Sequence, residues 1–561
     1  MIRKTLLFSA SLILLFAGCQ SQKSKEMEKE FQTFISQFEK KYVPLTVEGN
    51  KAWYSAAVSG KKEDYKKAAD LAVQQTKLFS DKEAFNKLKA FKKSGLIKDP
   101  LLKRQMDLLY LNFLGNQTDT TKLEELIREQ SAIENKFAAF RTVANGKTLS
   151  DNQVDSILRS STNSAELENV WTSSKLIGTQ VAPQLITLVK KRNEVAKELG
   201  FANFQEMKLK LNEQNPKEVE TLFDELDNLT RDAFKKAKGE IDAYLAKRFS
   251  IPADKLMPWH YQNRFFQEAP AIYNVDLDQF YKNVDICKVA ETFYKGIGMP
   301  VDDIIKRSDL YEKPGKNQHA FSSDIDHSGD VRILVNLRND SYWTNTILHE
   351  LGHSVYAKYN DSKLPFLLRD AAHILTTEGI ANMFGRFNAN PDWIRDNLHI
   401  SAEKAKSVAA DCKNTNRLQQ LIFSRWAQVM FRFEKGMYEN PDQDLNKLWW
   451  DLVEKYQMLK RPQGRNQPDW ASKIHIATVP CYYHNYLMGD LFASQVYYHI
   501  TEKVLKSKNP DNESFTGKPE VGKFLIEQIF KPGARYTYDE LLEKATGEKL
   551  TAKYYARQFV N

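Results

Sequence analysis

Two histidines and a glutamate in the middle of the chain, His349, Glu350 and His353, have the types and spacing of a metal site. Residues four apart lie on the same face of an α-helix, so both imidazoles can bind one Zn²⁺. Glu350 would then stand beside the water that such a metal activates. Because catalytic zinc sites combine three protein ligands with an open position for water, the pattern predicts a hydrolytic site.

A third ligand separates this interpretation from a surface or core pair of histidines. Glu378 lies 25 residues after His353, in an apolar run at 375–384 that predicts a second helix facing the first. Two histidines and one glutamate complete a catalytic zinc set. The metzincin alternative requires a glycine and a third histidine where Tyr356 and Tyr359 stand, so it is excluded.

The elements that position these residues are predicted to be helices, because apolar side chains recur at helical spacing over nearly the whole chain. The predicted fold class is mainly α, with residues 31–561 forming one catalytic domain. The chain is 42% hydrophobic and 27% charged, with a net charge of +9. Lys and Glu are interleaved and form no basic stripe, so we expect no nucleic-acid partner.

Two short apolar runs upstream of the zinc helix break the helical pattern. Ala320–Ser323 and Val331–Asn336 flank a polar turn at 326–330, and they predict a strand pair. An edge strand beside the metal can bind an extended peptide through main-chain hydrogen bonds. A purely structural hairpin remains the alternative.

Far downstream, a cluster of polar and aromatic residues supplies candidates for substrate contact. One lysine, two histidines and three tyrosines fall within the 14 residues from Lys473 to Tyr486. A peptidase needs groups that stabilise the oxyanion and hold the peptide, and this cluster favours such a function over core packing.

The N-terminus predicts export. Two basic residues precede an apolar run from Leu6 to Ala17, which is too short to span a bilayer but fits a signal sequence. Leu15 to Cys19 resembles a bacterial lipobox, so we expect a signal at 1–18, lipid on Cys19 and a polar tether at 19–30. A phenylalanine stands where leucine is usual, which leaves a simple cleaved signal as the alternative. We expect the protein to be anchored by lipid to a membrane of the bacterial cell envelope. The sequence does not determine which face of the membrane it occupies.

The remaining cysteines, Cys287, Cys412 and Cys481, are too few and too widely spaced for a disulfide framework or a second metal site. At most one disulfide is possible, and packing as small apolar residues is favoured.

Several separated segments resemble the peptidyl-dipeptidase A family, the gluzincins related to angiotensin-converting enzyme. Besides the zinc helix, they are Leu364-Pro365 with Leu368-Arg369, Ala372, Glu378-Gly379-Ile380, Trp449-Trp450, Leu452, Lys455-Tyr456-Gln457, Arg465-Asn466, Lys473-x-His475, His319-Ala320 and Asp330-Val331-Arg332-Ile333. The resemblance is specific from about residue 255 to 500 and weak in the N-terminal half.

The resemblance implies a helical ellipsoid whose two lobes enclose a deep cleft, with a small β-structure beside the zinc helix. Substrates would be short peptides that lose C-terminal dipeptides. We expect one Zn²⁺ per chain and a monomer. Chloride-binding arginines of the family align with Val453 and Asn485, neither of which is cationic, so we expect no chloride requirement.

The resemblance also implies the roles of the zinc-site residues. His349, His353 and Glu378 would bind zinc, and Glu350 would be the base that later protonates the leaving amine. The family usually has an aspartate four residues after the zinc glutamate to orient a zinc histidine, whereas this chain has Asn382, a weaker partner.

Substrate-binding roles follow from the same resemblance. His475 and Tyr486 would stabilise the oxyanion. Because this chain has one extra residue between His475 and the tyrosine pair, Tyr482 is the alternative to Tyr486. For the peptide itself, the resemblance implies that His319 and the backbone of Ala320 hold it beside the scissile bond. Lys473 and Tyr483 would bind its terminal carboxylate. A further carboxylate-binding glutamine is only loosely placed, at Gln262.

Two other functions compete with a peptidyl-dipeptidase. A thimet-type oligopeptidase that cuts internally shares the zinc motif, but the cationic Lys473 favours release from the C-terminus. A peptide-binding lipoprotein without activity gains nothing from a general base, so Glu350 argues against it.

Overall fold

The computed structural model describes the backbone of residues 2–273 and 275–560, and the side chains of residues 22–273 and 275–560. The predicted signal at 1–18 and the lipidation candidate Cys19 lie outside the residues whose side chains are described. Within the described part of the chain, none of the helices is both long and apolar enough to cross a membrane.

The described residues are mainly α-helical, as predicted. The helices are α1 (Ile2–Ser59), α2 (Lys62–Phe79), α3 (Lys82–Ser94), α4 (Pro100–Gly115), α5 (Thr120–Ala139), α6 (Asp151–Ser160), α7 (Ser164–Ser174), α8 (Leu176–Glu198), α9 (Phe204–Leu211), α10 (Pro216–Phe249), α11 (Asp278–Tyr281), α12 (Ile286–Gly296), α13 (Asp302–Arg307), α14 (Ser341–Lys358), α15 (Ile374–Gly385), α16 (Pro391–Leu398), α17 (Ala402–Glu439), α18 (Leu445–Leu452), α19 (His475–Thr478), α20 (His484–His499), α21 (Pro519–Phe524), α22 (Tyr538–Thr546) and α23 (Lys553–Val560). Two antiparallel strand pairs accompany them, β1 (Thr142–Ala144) with β2 (Lys147–Leu149), and β3 (Phe321–Asp324) with β4 (Val331–Leu334).

Side-chain caps determine where the two zinc-site helices begin. The carboxylate of Asp340 accepts a hydrogen bond from the backbone N–H of Trp343 at 2.7 Å and starts α14. The Nδ1 of His373 accepts from the backbone N–H of Leu375 at 3.0 Å and starts α15. Each cap satisfies an N–H that the first helical turn leaves without a partner.

Glycines let α14, α15 and α20 pack at very short range. A Cβ on Gly352 would lie 2.8 Å from the Cα of Ala381, so α14 and α15 meet backbone to backbone. A Cβ on Gly379 would lie 2.8 Å from the carbonyl oxygen of Gly489, and this contact joins α15 to α20. Real Cβ atoms do not approach this closely, so the three helices depend on these glycines for their spacing.

The predicted strand pair is present as β3 and β4, with Ser322 opposite Ile333. It packs on the zinc helix, because the hydroxyls of Ser322 and Ser354 share a hydrogen bond of 2.9 Å. From the other side, the hydroxyl of Tyr54 in α1 donates to the carbonyl oxygen of Ile333 at 3.0 Å. The pair is therefore held between α1 and α14.

Residues 22–30, predicted as a polar tether, are part of α1 and are mostly exposed. Helix α1 then contributes Phe31 and Phe38 to a hydrophobic cluster with α3 and α4. Cys287, Cys412 and Cys481 are free thiols, and the last two are buried.

A buried carboxylate holds the turn that leads into α20. Glu434 of α17 accepts a hydrogen bond from the backbone N–H of Cys481 at 2.7 Å. Cys481 has a φ of 56°, in the left-handed region, so this bond stabilises an unfavourable backbone conformation. Burial raises the pKa of Glu434 to about 8, with the Cys481 hydrogen bond and the Arg192 charge opposing that change.

Replacing Glu434 by glutamine should flatten the pH dependence of stability. Between the ordinary carboxyl pKa and about 8 the folded protein holds a proton on Glu434 that the unfolded chain releases. Folding then takes up a proton, so wild-type stability falls with rising pH in this window, by at most about 1.4 kcal/mol per unit. We expect the Tm of Glu434→Gln to fall less than the wild-type Tm from pH 5 to 8.

The control is Glu439→Gln, a half-exposed residue of the same helix, which should keep the wild-type pH profile. Thermal unfolding followed by circular dichroism measures all three proteins. Parallel Tm profiles for wild type and Glu434→Gln would contradict the assigned burial cost.

Candidate active site

The three predicted zinc ligands lie together where α14 faces α15. The Nε2 atoms of His349 and His353 are 3.2 Å apart, and Nε2 of His353 is 3.3 Å from Oε2 of Glu378. The third side, from Nε2 of His349 to Oε1 of Glu378, is 3.9 Å. Ligands at about 2.0–2.1 Å from a tetrahedral zinc lie about 3.3 Å from one another, so these donors fit the ion. Among the described residues, this is the one His/Cys/Asp/Glu group found with metal-binding geometry.

Mutual electrostatics prepare the ligands for a cation. Burial lowers the pKa of His349 to about 4, with the neighbouring His353 adding to the effect, so this imidazole is neutral and keeps a lone pair. Burial also disfavours a charge on His353, but the hydrogen bond and charge of Glu378 outweigh it and raise the pKa. Glu378 has a lowered pKa because both histidines outweigh its burial. The hydroxyl of Thr377 lies 2.8 Å from Nδ1 of His353 and orients the ring.

Glu350 lies beside the ligands in a cavity of about 420 Å³ that Ala320 and Glu378 also line. Its side chain is buried, and that burial raises its pKa to about 7, with the charge of His353 and a hydrogen bond from the backbone N–H of Ser322 opposing the change. A carboxylate with a pKa near neutrality is suited to proton transfer at physiological pH.

The edge of the cavity next to β3 contains one of the two predicted peptide-holding residues. Ala320 immediately precedes β3 and lines the cavity, which places its backbone beside Glu350. His319 is exposed, and it is not among the residues lining this cavity. The structure therefore brings Ala320 to the zinc ligands and leaves the His319 side chain outside their cavity.

Tyr486 lines a second cavity, of about 290 Å³, together with His349 and Glu378. Burial raises the pKa of Tyr486, and the charge of Glu378 adds to that rise, so its hydroxyl stays a hydrogen-bond donor. The alternative, Tyr482, packs 5.2 Å from Tyr486 between ring centroids but does not line the cavity.

Of the predicted carboxylate-binding residues, Lys473 and Gln262 line a separate cavity of about 450 Å³, and Tyr483 does not; His475, predicted for the oxyanion, lines this cavity too. The Nζ of Lys473 donates to Oε1 of Gln267 at 2.7 Å, and burial lowers the Lys473 pKa to about 8. Among the described residues, Nε2 of Gln262 and Nδ1 of His475 are buried polar atoms without a hydrogen-bond partner. These unpaired atoms are available to a ligand.

Aromatic rings connect this cavity with the zinc ligands. Ring centroids are 5.4 Å apart between His475 and Tyr483, and 5.3 Å apart between Tyr483 and Tyr486. Tyr483 is buried, and the Nζ of Lys473 lies 5.5 Å from its centroid. Packed rings thus connect Tyr486 with His475, although Tyr483 itself lines neither of the two cavities.

Three residues that contribute to this site, Thr377, Ser322 and Gln267, were not predicted from the sequence. Thr377 directly precedes Glu378, so its hydroxyl could have been predicted from the sequence as a group close to the metal ligands. Ser322 and Gln267 carried no comparable signal, because each reaches its partner across a tertiary contact, Gln267 across 206 residues.

Comparison with known proteins agrees with this geometry. A family model described as angiotensin-converting enzyme, Peptidase M2, matches residues 25–559. The angiotensin-converting enzyme of Rattus norvegicus is 23% identical over 434 residues, covering 71% of this chain and 32% of that protein. Thermostable carboxypeptidase 1 of Pyrococcus furiosus is 32% identical over 266 residues, covering 43% of this chain and 51% of that protein.

A relative from Caenorhabditis elegans, named inactive angiotensin-converting enzyme-related protein, is 22% identical over 369 residues, covering 57% of this chain and 40% of that protein. The chain spans between about a third and about half of the length of these relatives.

Substituting Gly352 by alanine should weaken metal binding without touching a ligand. The added Cβ meets the backbone of Ala381, which cannot rotate away, so α14 and α15 must separate. We expect a stability loss of about 1–3 kcal/mol and weaker zinc binding by the apoprotein, measured by thermal unfolding and by competition with a chromogenic chelator.

Gly239→Ala in α10 is the matched control, since a Cβ there has no atom within 4 Å, and it should leave zinc binding unchanged. Wild-type zinc affinity in Gly352→Ala would show that the helix contact does not set the ligand spacing.

Proposed function

This chain belongs to the angiotensin-converting enzyme family of peptidases, and from that membership we propose that it is a zinc-dependent peptidyl-dipeptidase that releases dipeptides from the C-terminus of short peptides. The observation that carries the proposal is the compact His349, His353 and Glu378 donor set with a buried glutamate beside it. When bound there, zinc would act as a Lewis acid and lower the pKa of a water molecule.

Glu350 is the general base in this proposal. Its carboxylate removes a proton from the attacking water and later returns it to the nitrogen of the leaving amine. The hydrogen bond from the Ser322 backbone to Glu350 holds the carboxylate against β3, along which the peptide would lie next to Ala320.

Oxyanion stabilisation is assigned to Tyr486, with His475 contributing from the adjoining cavity. The support is that Tyr486 shares a cavity with His349 and Glu378 and remains protonated. A hydroxyl fixed by packing against Tyr482 and Tyr483 needs little reorganisation when negative charge develops on the substrate.

Selection of the C-terminal dipeptide is assigned to the cavity of Lys473. Its ammonium is buried and bonded to a neutral amide, Gln267, so it has no carboxylate partner of its own in the described structure. A terminal carboxylate would supply that charge and would also accept from the unpaired Nε2 of Gln262. Tyr483 would pack beside the ammonium.

We further propose export and lipid anchoring at Cys19, supported by the N-terminal sequence pattern. Chloride independence is proposed from Val453 and Asn485. Both are buried and uncharged, and Oδ1 of Asn485 already accepts from Gln214 at 2.7 Å.

Glu350→Gln tests the base directly. The amide is nearly isosteric but cannot take a proton, so kcat/KM should fall by about 10²–10⁴-fold while bound zinc stays at one per chain. Zinc content is measured by elemental mass spectrometry, and the rate of cleavage is measured with an N-blocked peptide. Glu403→Gln, an exposed residue of α17, should match the wild type. Near-wild-type cleavage by Glu350→Gln would refute the role of this carboxylate.

Cleavage products distinguish dipeptide release from internal cutting. We expect mass spectrometry to show chelator-sensitive loss of C-terminal dipeptides from N-blocked peptides with a free carboxylate, and much slower cleavage of the same peptides as C-terminal amides. Lys473→Met should lose about 2 kcal/mol or more of transition-state binding, about thirtyfold in kcat/KM, on the free acids. The same variant should change little on the amides, which serve as the internal control.

Internal cuts that ignore the terminal group would favour an oligopeptidase. A protein that binds zinc and peptides without cleaving them would be a binding protein.

A further inference from the structure

Asn382 lies behind His349, the first of the proposed zinc ligands, and the orientation of its side-chain amide determines which group faces the imidazole. The side chains of Asn382 and His349 line the same cavity of about 290 Å³ and form a hydrogen bond. Because Nε2 of His349 faces the other ligands, Nδ1 is the nitrogen left to donate. An asparagine side chain can present either its oxygen or its NH₂ group, and only the oxygen accepts this bond.

A buried carboxylate determines which way that amide faces. The Nδ2 of Asn382 donates to Oδ1 of Asp490 at 3.0 Å. An ionised carboxylate accepts hydrogen bonds and donates none, so the NH₂ group of Asn382 must face Asp490 and its oxygen must face His349. Asp490 is in turn held by Arg386, whose Nη2 donates to the same oxygen at 2.5 Å.

The surrounding packing leaves this arrangement little freedom. Asp490 is 5% exposed and follows Gly489, whose missing side chain allows α20 to lie against Glu378. The Asp490 and Arg386 side chains are 7% and 15% exposed. A buried chain of hydrogen-bonded side chains therefore runs from Arg386 through Asp490 to Asn382, which lies beside His349.

We propose that Asp490 is a positioning residue of the zinc site: acting through Asn382, it sets the Nδ1–H tautomer of His349 and directs the Nε2 lone pair to the metal. It also supplies the negative charge that the aspartate of related proteins would place directly behind this histidine. The inference rests on the proposed zinc peptidase function. In this chain the carboxylate that supports the zinc histidine would therefore be Asp490 of α20, which is one hydrogen bond farther from the metal than residue 382.

Two substitutions and their combination test the inference. Asp490→Asn removes the charge and leaves two amides of free orientation, so zinc affinity should fall by about 10–100-fold. Asn382→Asp sets two carboxylates against each other and should also weaken binding. In the double variant, the new carboxylate accepts from His349 directly and from the new amide, whose oxygen still accepts from Arg386. Affinity should return to the wild-type value or exceed it.

The readout is the zinc Kd of the apoprotein by chelator competition, with circular dichroism to establish folding. Asp227→Asn is the matched control, because Asp227 is also buried and paired with an arginine, Arg425, but is not among the residues around the ligands. It should lower the Tm and leave the zinc Kd unchanged. If Asp490→Asn does not fold, recovery of zinc affinity from Asn382→Asp to the double variant supports the inference.

Wild-type zinc affinity in a folded Asp490→Asn, or a double variant that binds no better than Asn382→Asp, would overturn the inference and reduce Asp490 to a structural partner of Arg386. These results would leave the zinc peptidase intact if the wild type binds zinc. A wild-type protein that binds no zinc would overturn the proposed function and this inference together.

Discussion

The close contact of α14, α15 and α20 is the constraint on which the site depends. His349 and Glu378 stand on different helices, and their ligand atoms are 3.9 Å apart because no side chain separates α14 from α15 at Gly352, while Gly379 lets α20 pack closely against α15. Metal coordination tolerates errors of about 0.2 Å in ligand distance, which is less than the displacement that one added methyl group would impose. Backbone packing at these glycines thus sets the geometry of the donors.

Around this centre, the lining that we propose for substrate binding is divided among distant parts of the chain. The β3 strand and Ala320 border the ligands on one side, and Tyr486 borders them on the other. From Tyr486, packed aromatic rings continue through Tyr483 to the cavity of Lys473. The order of these parts matches a peptidase that holds its peptide beside a strand and its terminal carboxylate at a buried cation, as we propose.

Two buried carboxyl groups hold a turn and an amide in fixed orientations near the candidate site. Glu434 holds the left-handed turn at Cys481, just before α20. Asp490 holds the amide of Asn382 behind a zinc ligand. Glu434 keeps its proton up to a pH of about 8, and Asp490 is paired with Arg386, so neither group leaves an unpaired charge in the interior. Their contribution is conformational specificity at the positions that the chemistry requires.

The sequence alone determined the parts of the site that depend on local periodicity. His349 and His353 are one helical turn apart, and Glu378 follows on the next amphipathic run, so the donor set and the strand pair were predictable. Only the tertiary structure decided which groups support them. Gln267 reaches Lys473 across 206 residues, and Asp490 reaches Asn382 across 108 residues. No pattern in the sequence reveals such pairs, because they result from how separate helices pack rather than from the spacing of residues within one helix.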